Sequence, residues 1–211
     1  MIVTAVERVR RRRRVNVFVD GEFAVALGVD LAAERDVRPG RELSGAAVRA
    51  LADEDARREA LQSGLRFLSY RPRSEQELRQ RLARKGLPRP AIATAVSRLR
   101  ELGYLDDAAF ARFWTETRQA SRPRARRVVA GELRWRGVAA EQVDEATAAI
   151  EDEEAAYVAA GRKLRTLGGL EYQPFRERLG RFLTGRGFSY EVARRTIDRC
   201  WGDITETPAG R

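Results

Sequence analysis

Histidine is absent from this chain and cysteine occurs once, at position 200. Without histidine the usual zinc ligand sets cannot be assembled, and every histidine-based catalytic triad and the commonest general acid or base are excluded. One cysteine allows no internal disulfide. What remains for chemistry is carboxylates, two lysines (Lys85 and Lys163), tyrosines and one thiol. Cys200 lies in Ile197-Asp198-Arg199-Cys200-Trp201 at the end of a helical pattern, where a thiol reads as a packing group rather than a nucleophile. The acidic groups Asp53-Glu54-Asp55, Asp106-Asp107 and Glu151 to Glu154 read as helix starts and solvated faces. No metal, no cofactor and no enzymatic activity are expected. Long hydrophobic runs are also missing: nothing approaches the roughly 20 apolar residues of a membrane span, and Met1 to Arg14 turns basic where a signal peptide would turn apolar. A cytoplasmic protein is expected.

What is present is a 211-residue chain, 43% hydrophobic and 34% charged, rich enough in apolar residues to fold. Its net charge of +10 favours a polyanionic partner, either nucleic acid or a protein with an acidic groove. Of 41 basic residues only Lys85 and Lys163 are lysine. Arginine suits bidentate phosphate and carboxylate contacts, but a GC-rich genome gives the same bias, so only clusters of arginine are read as functional.

Val15 to Leu27 reads VNVFVDGEFAVAL, with Asp20-Gly21 between two runs of alternating valine and aromatic residues. A two-residue Asp-Gly loop suits a type I′ turn and predicts a hairpin with Phe18 opposite Phe23 and Val17 opposite Ala24. Ile2 to Val9 is a candidate third strand, Arg10 to Arg14 a connection beside the sheet, and Pro39-Gly40 the close of the module before Leu43. Beyond it the chain reads as helical. The segment Ala46 to Leu68 is one helix or two, depending on whether Asp53-Glu54-Asp55 is a polar face or a break.

Three segments end in a glycine preceded by a basic residue and followed by an apolar one: ELRQRLARKGL, VVAGELRWRGV and ERLGRFLTGRGF. Their glycines, Gly86, Gly137 and Gly187, recur at nearly constant spacing, the signature of a repeat. Eight residues before each stand Leu78, Val129 and Leu179; four before, Leu82, Leu133 and Leu183; one before, Lys85, Arg136 and Arg186. Apolar residues four apart make one helix face, and glycine supplies the left-handed conformation of a Schellman ending, which folds Leu87 back on Leu82, Val138 on Leu133 and Phe188 on Leu183. A helical pattern follows each stop (Ile92, Val96, Leu99; Val143, Ile150; Val192, Ile197). Another precedes it (Leu61, Leu65, Leu68; Phe110, Phe113, Trp114, Thr117; Tyr157, Leu164, Leu167). Each unit is thus three helices of helix-turn-helix-like size, and neighbours must stack to bury their faces. The sharpest helix start is Ser74-Glu75-Gln76-Glu77, a capping box behind Pro72, with the Ser74 hydroxyl on the Glu77 amide and Glu77 reaching back.

Tyr70-Arg71-Pro72-Arg73-Ser74, followed by Glu77-Leu78, Leu82 and Lys85-Gly86, resembles the first-repeat signature of the RecX family. Leu99-Arg100-Glu101-Leu102-Gly103-Tyr104-Leu105-Asp106-Asp107, with Phe110-Ala111 after it, resembles the junction into that family's second repeat. The resemblance runs from about Arg57 to Trp201, and the Asp20-Gly21 hairpin is similar to an N-terminal extension that some members carry. It implies a mainly α fold: three tandem three-helix repeats in an elongated array behind a small β-hairpin module. The expected boundaries are 1–43 for the β-rich module, 44–106, 107–154 and 155–203 for the repeats, and 204–211 for a flexible tail. It also implies a function: binding in the groove of the RecA filament on DNA, negatively modulating ATPase, filament growth and strand exchange in recombination, DNA repair and the SOS response. The expected partners are RecA protein and the RecA–DNA filament, with weak, sequence-tolerant DNA binding, no membrane, and a monomeric chain. A helix-turn-helix transcription regulator is the alternative.

The third unit has Gly168-Gly169-Leu170-Glu171-Tyr172 in place of the Arg-Pro-Arg-Ser motif, so contacts cannot be copied between units. Most signature positions (Tyr70, Ser74, Glu77, Leu78, Leu82, Lys85, Gly86, Gly103, Tyr104, Leu105, Asp106, Gly137 and Gly187) are explicable by folding. The candidates for partner or DNA contact are Arg71, Arg73, Arg122, Arg124, Arg126 and Arg127, which flank the repeat-equivalent prolines Pro72 and Pro123, together with Arg10, Arg11, Arg12, Arg13 and Arg14.

Overall fold

A computed structural model describes residues 1–206. The described chain forms two compact units, the first comprising Met1–Arg71 and Leu78–Leu105, the second Pro72–Glu77 and the residues from Asp106 onward.

The first unit opens with three antiparallel strands, β1 (Val3–Arg8), β2 (Arg14–Val19) and β3 (Glu22–Gly28), in the order β1-β2-β3. Asp20 and Gly21 both take positive φ, 49° and 85°, as a type I′ turn requires. Phe18 faces Phe23 as expected, but a bulge shifts the register beyond them, so that Val17 pairs with Val25 and not with Ala24. The extra residue keeps Val17, Val25 and Leu27 on the one buried face. The arginine run is not wholly a connection, because Arg14 already belongs to β2 and pairs with Gly28. A short helix, α1 (Val29–Glu34), which the sequence pattern did not signal, buries Leu31 and Ala32.

Helix α2 (Gly45–Leu68) is a single helix of 24 residues, capped by the Ser44 hydroxyl accepting the Ala47 N–H at 3.1 Å. Asp53-Glu54-Asp55 is neither a break nor only a solvated face. Asp55 is buried, takes the Gly28 N–H at 2.7 Å and pairs with Arg14 at 2.6 Å, while Glu54 binds Arg35 and Arg58. These charge-assisted bonds tie the sheet to the helix. Helices α3 (Glu75–Arg84) and α4 (Arg89–Glu101) complete the first three-helix repeat around Leu78, Leu82, Ile92, Val96 and Leu99.

The second unit holds α5 (Asp107–Ser121), α6 (Arg126–Trp135) and α7 (Ala140–Thr147), then α8 (Asp152–Leu164), α9 (Tyr172–Gly185) and α10 (Tyr190–Glu206). Helix α10 continues to Glu206, so residues 204–206 are helical rather than part of a tail; 207–211 lie outside the described residues. In α5 the inward positions are Phe110, Ala111 and Thr115, and Thr117 is exposed, against expectation. In α8 the packing face is alanine (Ala155, Ala156, Ala159, Ala160), small side chains that an apolar-periodicity reading passes over.

All three glycine stops have the expected geometry. Gly86, Gly137 and Gly187 take φ of 79°, 80° and 91°. The six-to-one bonds Leu87→Leu82, Val138→Leu133 and Phe188→Leu183 measure 3.4, 3.2 and 3.3 Å from amide nitrogen to carbonyl oxygen. Gly103 makes a fourth such ending after α4, with Tyr104 N–H bonding to Leu99 O at 3.0 Å.

Candidate partner-binding surface

Within the second unit the same joint is built twice. At the first, the carbonyl of Arg136, just before the glycine stop of α6, accepts the Ser74 hydroxyl at 2.8 Å, and that oxygen in turn accepts the Glu77 N–H at 3.2 Å, as a capping box requires. Glu75 N–H donates to Asp107 at 2.8 Å. The Glu77 carboxylate stands 3.6 Å from Arg136 Nε. At the second joint, the carbonyl of Arg186 accepts the Ala125 N–H at 3.3 Å, and Arg126 N–H donates to Asp152 at 2.7 Å. Each joint therefore places a glycine stop and a helix-starting aspartate against the first turn of an earlier helix, where unpaired N–H groups and the helix dipole favour an acceptor.

The candidate arginines divide according to this geometry. Arg127 Nε donates to Gly187 O at 2.7 Å, and Arg124 pairs with Glu132 at 3.1 Å, so both hold the second joint and its helix together. The Arg122 and Arg126 side chains are exposed and have no partner among the described residues. Arg71 and Arg73 are half-buried beside Pro72. In the β1–β2 turn Arg10, Arg11 and Arg12 point to solvent, Arg13 pairs with Asp30 at 2.9 Å, and Arg14 is fixed by Asp55 and Glu59.

Two arginines that the motif reading did not single out for contact complete a basic cluster. Arg162 on α8 donates to the carbonyls of Ala120, at 2.7 Å, and Ser121; Arg186 donates to Pro123 O at 3.0 Å. Both therefore cap the carboxyl end of α5, where its dipole is negative. Burial, reinforced by the charges of Arg124, Arg122 and Arg162, pushes the Arg186 guanidinium below its ordinary value. Four guanidinium groups thus crowd one loop and favour any anion that joins them. The spacing of Gly137 and Gly187 and the aspartates opening α5 and α8 carried the signal for these joints, but only three-dimensional pairing reveals Arg162. Beneath the joint, Glu132 accepts the Trp114 indole at 2.8 Å and Arg118 at 2.7 Å, and Arg136 lies 3.7 Å over the Trp114 ring.

Nothing resembling a catalytic constellation accompanies this surface. Cys200 is fully buried, and that burial pushes its thiol up to about 11. Among the described residues no group of three or more acidic or thiol side chains is arranged to hold a metal ion, and no helix is long and apolar enough to cross a membrane.

Comparison with known proteins decides the family. Profiles described as the first, second and third three-helix domains of RecX match residues 60–99, 106–146 and 151–197. The chain belongs to the RecX family. It is 30% identical over 203 residues, 94% of this chain and 74% of the relative, to the regulatory protein RecX of Lactobacillus gasseri. It is 36% identical over 136 residues, 63% of this chain and 72% of the relative, to that of Streptomyces coelicolor. A crystal structure of a regulatory protein RecX superposes over 93% of this chain and 98% of its own, with a TM-score of 0.63 and 22% identity, and one of RecX from Lactobacillus salivarius with 0.59 and 19% over 69% of this chain. RecX is a family of regulatory proteins and not of enzymes, and its three tandem three-helix domains are the three repeats described above.

Proposed function

We propose that this chain binds the RecA filament on DNA and negatively modulates its ATPase, growth and strand exchange, acting in the cytoplasm in recombination, DNA repair and the SOS response. The observation that carries the reading is the arginine cluster at the Pro123 joint, set in a fold whose relatives are regulatory proteins. Arg122 and Arg126 project from the loop and first turn while Arg124, Arg127, Arg162 and Arg186 hold it rigid, so the contact groups are preorganised on a fixed scaffold. Tandem repeats let one chain reach more than one filament subunit, and the second contact then gains effective concentration from the first. Binding that favours one packing of successive subunits changes filament activity without chemistry of its own.

The test is RecA-catalysed ATP hydrolysis on single-stranded DNA against increasing amounts of the purified chain. Inhibition at or below one chain per RecA is expected; undiminished hydrolysis at equimolar protein contradicts the proposal. Binding to bare duplex DNA is expected to be weak and sequence-tolerant, its log affinity falling by about 0.9 per phosphate contact for each unit of log salt. Protection of one defined operator in the absence of RecA would favour a transcription regulator instead.

A further inference from the structure

A groove of about 470 Å³ lies in the second unit, bordered by α5, the residues joining α7 to α8, and α8 itself. Its apolar lining includes Ile150, Ala155 and Val158, the last 42% exposed on a helix whose other apolar face is packed. Thr115 also lines it. This residue is only 8% exposed, and its hydroxyl has no hydrogen-bond partner, whereas Thr147, Thr184 and Thr196 each return theirs to the carbonyl four residues earlier. An unsatisfied buried hydroxyl beside an open apolar groove marks a place where a ligand donor or acceptor is missing. Glu116, Glu151 and Glu154 stand at the rim against one arginine, Arg112, so the groove is locally acidic on a chain of net charge +10.

The complementary feature is also in this chain. Trp135 on α6 is 77% exposed, the largest apolar ring so placed, and its indole N–H makes no bond among the described residues. Arg134 and Arg136 flank it, the latter 5.4 Å from the ring centroid. An aromatic knob with a donor edge and basic neighbours matches an apolar groove with an acidic rim in shape, polarity and sign.

We propose that Trp135 of one copy seats in the Thr115–Val158 groove of a second copy, so that the chain self-associates head to tail. The two patches differ, so the contact is heterologous: every dimer keeps one open groove and one exposed tryptophan, and further copies add in the same sense. One aromatic anchor and its rim form a small interface, so association is weak and reversible.

Sedimentation velocity of the full chain, from roughly 1 to 200 µM, tests this. The wild type is expected to shift from monomer toward dimer and longer species as concentration rises, and less so at high salt. Trp135→Ala and Val158→Arg each leave a monomer at every concentration, yet an equimolar mixture of the two gives a dimer that grows no further, because each supplies the half that the other lacks. If Val158→Arg fails to fold by circular dichroism, Glu151→Arg at the exposed rim replaces it. A wild type that stays monomeric, a Trp135→Ala protein that associates normally, or a mixture without dimer overturns the proposal. So does a monomeric wild type whose action on RecA is lost on groove substitution, which would assign the groove to another protein.

Discussion

The glycine stops share one backbone conformation but not one environment, and this separates two costs that a single substitution usually merges. Replacing Gly86 by alanine forces a side chain into φ of +79° with nothing within 4 Å of the new methyl group. The expected loss is the conformational term alone, about 1–2 kcal/mol. At Gly187, φ of +91° costs a similar amount, but a Cβ would also stand 2.2 Å from Val128 Cγ2, 3.4 Å from Val128 Cβ and 3.7 Å from Ala125 Cβ. Valine in a helix is held in essentially one rotamer, so it cannot turn aside and the joint must open. Overpacking of this kind costs about 1–3 kcal/mol more, for a total of about 2–5 kcal/mol. Urea unfolding of Gly86→Ala, Gly187→Ala, Val128→Ala and the Gly187→Ala/Val128→Ala pair, followed by circular dichroism and tryptophan fluorescence, measures the difference. Because Val128→Ala removes the atom at 2.2 Å, the double variant should recover the steric part and fall near Gly86→Ala. Equal losses at Gly86 and Gly187, or no coupling between Gly187 and Val128, would refute the description of that joint.

Three further outcomes are expected. Glu132→Gln removes the charge shared by Arg118 and Arg124 and bonded to the Trp114 indole, and should lower stability by about 2–4 kcal/mol in denaturant titration with a change in Trp fluorescence; a loss below about 0.5 kcal/mol would mean that the network is not holding the repeat. Asp107→Ala and Asp152→Ala each delete an acceptor for a helix-starting N–H and should cost about 1–2 kcal/mol apiece, adding without coupling because they serve different joints; strong coupling in the double variant would contradict this. The Cys200 thiol, raised to about 11, stays protonated in the fold through pH 8–9, so its contribution to stability is present below the ordinary thiol range and is lost as pH rises through 11. A thiol-specific reagent at pH 8 should therefore react slowly with folded protein and quickly in urea, and fast labelling of the fold would show that the thiol is accessible.

Local physics made the repeats legible in the sequence. Positive-φ glycine after an apolar pair four residues apart leaves few structural alternatives, and all three stops adopt the conformation expected of them. The Asp20-Gly21 turn was readable for the same reason, whereas its bulge was not, because an inserted residue leaves the alternation of valines almost unchanged. Helix α1 is only six residues long, too short for periodicity to register. The acids of α2 were misread because charge on a helix reads as solvent-facing until its partner is known, and Arg14 lies 41 residues from Asp55. The candidate surface was half legible for a related reason. Sequence marks arginines beside a proline, but the division between Arg124 and Arg127, which hold the joint, and Arg122 and Arg126, which face outward, depends on Glu132 and Gly187 arriving from elsewhere in the chain.

That division gives the most direct measurement: inhibition of RecA ATP hydrolysis on single-stranded DNA by Arg122→Ala/Arg126→Ala, with circular dichroism and urea unfolding on the same samples. Native stability with inhibition weakened at least tenfold, and with a shallower dependence on salt, is the result predicted for outward arginines that meet the filament. Wild-type inhibition by a fully folded double variant would contradict the claim that this joint presents the contact surface.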